Sequence, residues 1–146
     1  MECMILTYLE FDINLPSAPI FLENYSRAMQ FSDSKVFIHA SFLIDLFLMK
    51  PEYLLYRPSL VVAVALDLSL QIYEIVHPDK GYDNRRASLR IIMNAQDFDP
   101  NQVQECRTHI QRYLLSEMTD TNVCLTKKYG NTEARIYLTK PILENQ

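Results

Sequence analysis

Apolar positions along the chain recur three and four residues apart, in blocks cut by proline and by capping residues, and almost none of it alternates with the period of two expected of a half-buried strand. The pattern predicts an all-α domain. Met4, Ile5, Tyr8 and Leu9 put a short helix over residues 1–9, which runs into the extended stretch Phe11-Asp12-Ile13-Asn14-Leu15-Pro16. Ser17 is placed to cap a second helix reaching about Phe31, with Phe21, Tyr25, Ala28 and Met29 inward. Ser32-Asp33-Ser34 caps a third, whose wide stripe of Val36, Phe37, Ala40, Leu43, Ile44, Phe47 and Leu48 ends at Pro51.

A single turn with Tyr53, Leu54 and Tyr56 precedes Pro58-Ser59, where a helix that is apolar all round continues to about Ile72. Such a helix has no solvent face and must run through the middle of the domain. His77-Pro78-Asp79-Lys80-Gly81 reads as a turn, and Arg86 to Ala95 as a short helix with Leu89, Ile92 and Met93 inward. Asp99-Pro100 opens a helix with Val103, Cys106, Ile110, Tyr113 and Leu114 on one face. A last helix is expected from near Asp120 to Lys127-Lys128, stopping at Gly130, with an irregular tail to Gln146. Apart from the short helix at Arg86 to Ala95, the count is five principal helices after the linker.

The 146 residues, 49% apolar and 22% charged, suit one domain of ordinary size. A formal charge of −4 gives no net pull toward polyphosphate, so no nucleic-acid partner is expected. With two glycines, Gly81 and Gly130, there is no Gly-rich loop to bring backbone N–H groups against a phosphate, which excludes Walker and Rossmann sites. Cys3, Cys106 and Cys124 are odd in number and far apart, as in a reduced intracellular compartment. No secretory leader is read at the start, and the longest apolar run, Leu60 to Leu66, is cut by Asp67, so no membrane partner is expected.

Catalytic and metal constellations are thin. His39, His77 and His109 lie in separate blocks without the spacing that puts two imidazoles on one helical face, and no metal or cofactor is expected. His109 follows Glu105 by four residues, which a solvated helix face explains, and His77 and Asp79 flank Pro78 in a turn. Cys106 on an apolar stripe behaves as a small hydrophobe. Asp67, the single charge inside the central helix, needs a donor or the surface rim. Two basic clusters, Arg85/Arg86/Arg90 and Lys127/Lys128/Arg135, are candidates for holding a phosphate, against the commoner outcome of a solvated face. The crowding of Met1, Met4, Ile5, Leu6, Tyr8 and Leu9 into nine residues leaves more apolar surface than the following domain can cover, so a partner or an upstream segment is expected to cover the rest.

These residues resemble the carboxy-terminal cyclin box of an A/B-type cyclin. The resemblance rests on Met1-Glu2 leading to Ile5-Leu6, Leu9, Phe11-Asp12-Ile13 and Leu15-Pro16, then Phe21-Leu22 and Tyr25. It continues through Pro58-Ser59-Leu60 entering the central helix, and through Lys128-Tyr129, Asn131, Leu138 and Pro141. The segment Tyr73 to Phe98 departs most from the family. The resemblance implies a five-helix cyclin fold around a buried central helix, preceded by a short helix and an extended linker. Residues 1–16 would be the last helix of a preceding box and the linker, 17–130 the carboxy-terminal box and 131–146 the tail. It implies a fragment or short form of a protein with an amino-terminal cyclin box upstream, acting as a non-catalytic regulatory subunit of a cyclin-dependent protein kinase in the nucleus and cytoplasm. Glu2 would be the interface glutamate, with Leu6, Phe11 and Ile13 as the apolar kinase contacts around it. The other reading is an adaptor of the same fold, as in cyclin-like transcription factors, without kinase activation.

Overall fold

The computed structural model describes residues 2–10, 16–30, 34–78, 81–119 and 128–129, and every regular element among them is helical. The order is α1 (Glu2–Tyr8), α2 (Ala18–Ala28), α3 (Ser34–Leu48), a 3-10 turn (Pro51–Leu55), α4 (Pro58–Val76), α5 (Tyr82–Ala95) and α6 (Pro100–Thr119).

Pro58 stands in the first turn of α4, where its missing N–H would have no partner in any case. From Leu60 to Leu70 every residue is buried, and α2, α3, α5 and α6 all pack against this helix. That is the arrangement its all-round apolar pattern predicts, and α4 runs on past Ile72 to Val76. A window of α4, Pro58–Ile75, is long and apolar enough to cross a bilayer, but 78% of it is buried within the protein, which makes it a core helix. Ser69, fully buried within it, donates to the Ala65 carbonyl at 2.8 Å and so keeps its hydroxyl satisfied.

The other helices correct the sequence reading in detail. In α2 the inward face centres on Leu22, Tyr25 and Met29, with Ala18 and Ser26 also buried, while Phe21 is half-buried and Ala28 exposed. Ser17 makes no side-chain cap; its carbonyl instead accepts from Ile20 and Phe21 at 3.1 and 3.3 Å. Pro19 supplies no N–H at one of the two positions such a cap would serve. In α3, Phe42 and Leu46 join the core, whereas Phe37 and Leu48 fall on the rim. The expected Ser32-Asp33 cap lies outside the described residues.

Helix α5 starts at Tyr82, four residues before the expected Arg86, because Tyr82 is itself a core side chain set edge-on to Tyr73 at 6.3 Å. Gly81, with φ at 64°, makes the left-handed turn into it. The α6 cap is as expected: Asp99 Oδ1 accepts from the Asn101 N–H at 2.9 Å, with Pro100 beside it. Cys106, Ile110 and Leu114 are buried below it and Val103 and Tyr113 half-buried. The helix expected from Asp120 lies outside the described residues apart from Lys128 and Tyr129. Those two reach α3: Lys128 Nζ sits 2.5 Å from Asp45, the Tyr129 hydroxyl also donates to Asp45, and the Tyr129 ring meets Phe42 edge-on at 5.3 Å.

Candidate docking surface

Helix α1 is short, held by its own turns: Leu9 N–H donates to Ile5 at 2.9 Å, Glu10 N–H to Thr7 at 3.1 Å, and the Thr7 hydroxyl to Cys3 at 2.7 Å. Glu10 takes a left-handed φ of 51° at its end. None of its residues is buried. Met4 is 76% exposed, Ile5 56%, Tyr8 88% and Leu9 46%, and only Leu6 is partly covered. Helices α2 to α6 build their core without α1, which leaves its apolar side chains bare on more than one side. These bare apolar side chains, flanked by the exposed Glu2 and Glu10, are available for covering by a partner or an upstream segment.

Of the residues the resemblance assigns to the kinase contact, Glu2 is exposed on α1 and Leu6 is the most covered side chain of that helix. Phe11 and Ile13 lie outside the described residues. The geometry adds Met4, Ile5 and Tyr8 to the surface.

The basic residues of α5 do not converge. Arg86, 19% exposed, turns inward: its Nη1 donates to Glu74 Oε2 at 2.8 Å and its Nε to Asp67 Oδ1 at 3.3 Å. Arg85 lies with its guanidinium carbon 5.5 Å from the Tyr82 ring centre, and Arg90 is exposed on the outer side. In the second cluster Lys128 is taken by Asp45, while Lys127 and Arg135 lie outside the described residues.

Asp67 finds its donors. Arg107 from α6 donates from Nη1 to Asp67 Oδ2 at 2.6 Å and from Nη2 to Gln71. Two guanidinium groups from different helices thus grip one carboxylate that is 12% exposed, and Glu74 completes a four-charge set of zero net charge. The carboxylates and Gln71 stand at i, i+4 and i+7 on α4, one polar ridge on an otherwise apolar helix. Arg107 went unnoticed in the sequence, although it had a signal there. It falls four residues after Val103 and three before Ile110, a charge set on the inward stripe. Such a charge needs an opposite one across the interface, and Asp67 had the same unexplained position on α4.

The histidines stay apart. His39 is fully buried on α3, with neither ring nitrogen hydrogen-bonded, edge-on to Tyr73 at 5.8 Å; burial pulls its pKa down to about 4. His109 Nδ1 and the Tyr56 hydroxyl are hydrogen-bonded at 3.2 Å, and His77 lies beside Tyr73 with ring centres 6.2 Å apart. Burial pushes the Cys106 thiol up to about 12, which makes it a poor nucleophile, and Cys3 is exposed. Among the described residues no three His, Cys, Asp or Glu side chains meet in a metal-holding group.

Comparison with known proteins converges on one family. The model of the cyclin C-terminal domain matches residues 16–140. Cyclin-B2-2 of Arabidopsis thaliana is 30% identical over 140 residues, 96% of this chain and 30% of that protein. G2/mitotic-specific cyclin-2 of Medicago sativa is 39% identical over 66 residues, 45% of this chain and 20% of the relative. Cyclin-A1-2 of Oryza sativa subsp. japonica is 38% identical over 73 residues, 47% of this chain and 15% of the relative. The chain thus spans less than a third of the length of each of these relatives. No solved structure matches it.

Proposed function

The chain belongs to the cyclin family through its C-terminal domain, and from that premise we propose that it serves a cyclin-type regulatory subunit of a cyclin-dependent protein kinase in cell-cycle control. Its role is binding rather than bond-making, in the nucleus and cytoplasm. Residues 1–16 carry the end of a preceding box and the linker, 17–130 form the C-terminal box, and 131–146 follow as a tail. The observation that carries this reading is the bare apolar surface of α1 beside a helical body whose core, among the described residues, is built without it. Glu2, Leu6, Phe11 and Ile13 take the kinase contact, with Met4, Ile5 and Tyr8 adding area.

The mechanism is a population shift. A helix that packs better against one orientation of a kinase element than against another biases the kinase toward the first, by no more than the difference between the two affinities. The α2–α6 body contributes rigidity. It gives the C-terminal part of a cyclin a preformed helical body, which lowers the entropy lost on docking.

A pull-down with cyclin-dependent kinases tests this, comparing the chain as it stands with the same chain placed after an amino-terminal cyclin box. The longer protein is expected to bind and stimulate a kinase, and the 146-residue chain to do so weakly at best. Failure of the longer protein to bind or stimulate any such kinase overturns the reading.

A further inference from the structure

Helix α5 differs from its neighbours in how it is held. Its packing is chiefly against α4, whereas α3 and α6 each contact α4 and one another. Its buried anchors are Tyr82 and Leu89, supported by the partly buried Ile92 and Met93. The residues bounding it, Gly81 and Asp97, both take left-handed φ angles, 64° and 51°. For Gly81 that conformation is free, while for Asp97 it is sparsely populated and stores strain. A charged tie to α4 is the Arg86 guanidinium, which spans from Asp67 to Glu74.

The layout of that tie gives it a distinctive property. Removing one partner of a buried ion pair is ordinarily expensive because the other charge is left bare. Here Arg107 holds the second oxygen of Asp67 from α6 at 2.6 Å, and Glu74 is 28% exposed and reaches water. Arg86 can therefore leave with α5 without orphaning a buried carboxylate. We propose that α5 is a strap over the central helix that opens and closes as a unit, bounded by Gly81 and Asp97 and latched by Arg86, while Arg107 keeps Asp67 neutralised in the open state. Opening uncovers Tyr73, which is 2% exposed when Tyr82 lies against it.

Amide hydrogen exchange on the whole chain, followed peptide by peptide in low urea, reads this directly. Amides of residues 82–95 are expected to exchange about tenfold or more faster than those of residues 60–70, with a shallower urea dependence. Arg86→Gln is expected to speed exchange in α5 by about a further tenfold while leaving α4 and α6 within about twofold. Arg107→Gln has the opposite signature: opening now strands Asp67, so the gap between α5 and α4 narrows even as the protein as a whole loses stability. One common exchange rate for α5 and α4, or an equal response of both helices to Arg86→Gln, overturns the proposal.

Discussion

Acidification should destabilise this protein through one imidazole. His39 is fully buried on α3 and makes no hydrogen bond, so protonating it places an unpaired charge in the core, and its pKa falls to about 4 from 6.5. In the unfolded chain the same ring titrates near its ordinary value. Between those two values the unfolded state holds the extra proton, so stability is fully present above about pH 6.5 and is lost as pH falls toward 4. The linkage integral over that shift comes to about 2 kcal/mol lost between pH 7 and pH 5, and about 3 kcal/mol by pH 4. Either figure is a large share of the stability of a domain this size. Urea unfolding at pH 7 and pH 5, on the wild type and on His39→Phe, isolates the term because all other titrating groups are common to both. The wild type should lose about 2 kcal/mol more than the variant over that interval. Equal losses in the two proteins would refute the assignment of the acid sensitivity to His39.

Leu66→Ala, in the fully buried stretch of α4, should lower unfolding free energy by about 2–5 kcal/mol in urea melts; a loss below about 1 kcal/mol would contradict the central position of that helix. Thiol labelling of the folded protein, mapped by peptide mass, should modify Cys3 at once and Cys106 only on the timescale of unfolding, since one is exposed and the other buried with its thiol pushed up to about 12. Comparable labelling rates for the two would contradict the burial of Cys106 on α6.

What could be read from the sequence follows the local physics of each element. Pro58 and Asp99-Pro100 mark helix starts by removing or capping N–H groups near the helix end, and both starts stand where the pattern puts them. The all-round apolar run of α4 declares its own burial. Features that depend on a partner across the core were not legible. Tyr82 extends α5 by a turn because Tyr73 awaits it on α4, and nothing within residues 81–86 says so. The inward face of α2 centres on Leu22 rather than Phe21 because the direction of burial is set by where α4 lies. At the candidate docking surface, the excess of apolar residues in α1 was visible as composition, but which side chains stay bare was not. Leu6, assigned as a contact, is the one most covered, whereas Tyr8 is the most exposed. Asp67 announced that it needed a donor, and Arg107 carried the matching signal on α6; pairing them required the three-dimensional packing.

The account stands on α1 being a contact surface and not a part of the α2–α6 core, and paired replacement of its most exposed side chains tests that most directly. Met4→Asp combined with Tyr8→Asp, made in the chain placed after an amino-terminal cyclin box, should weaken affinity for a cyclin-dependent kinase by about tenfold to a hundredfold by calorimetry or surface binding. The urea midpoint of the 146-residue chain carrying the same two substitutions should stay unchanged, because neither side chain is buried in it. An unchanged affinity in a protein that remains folded would contradict the docking role of α1.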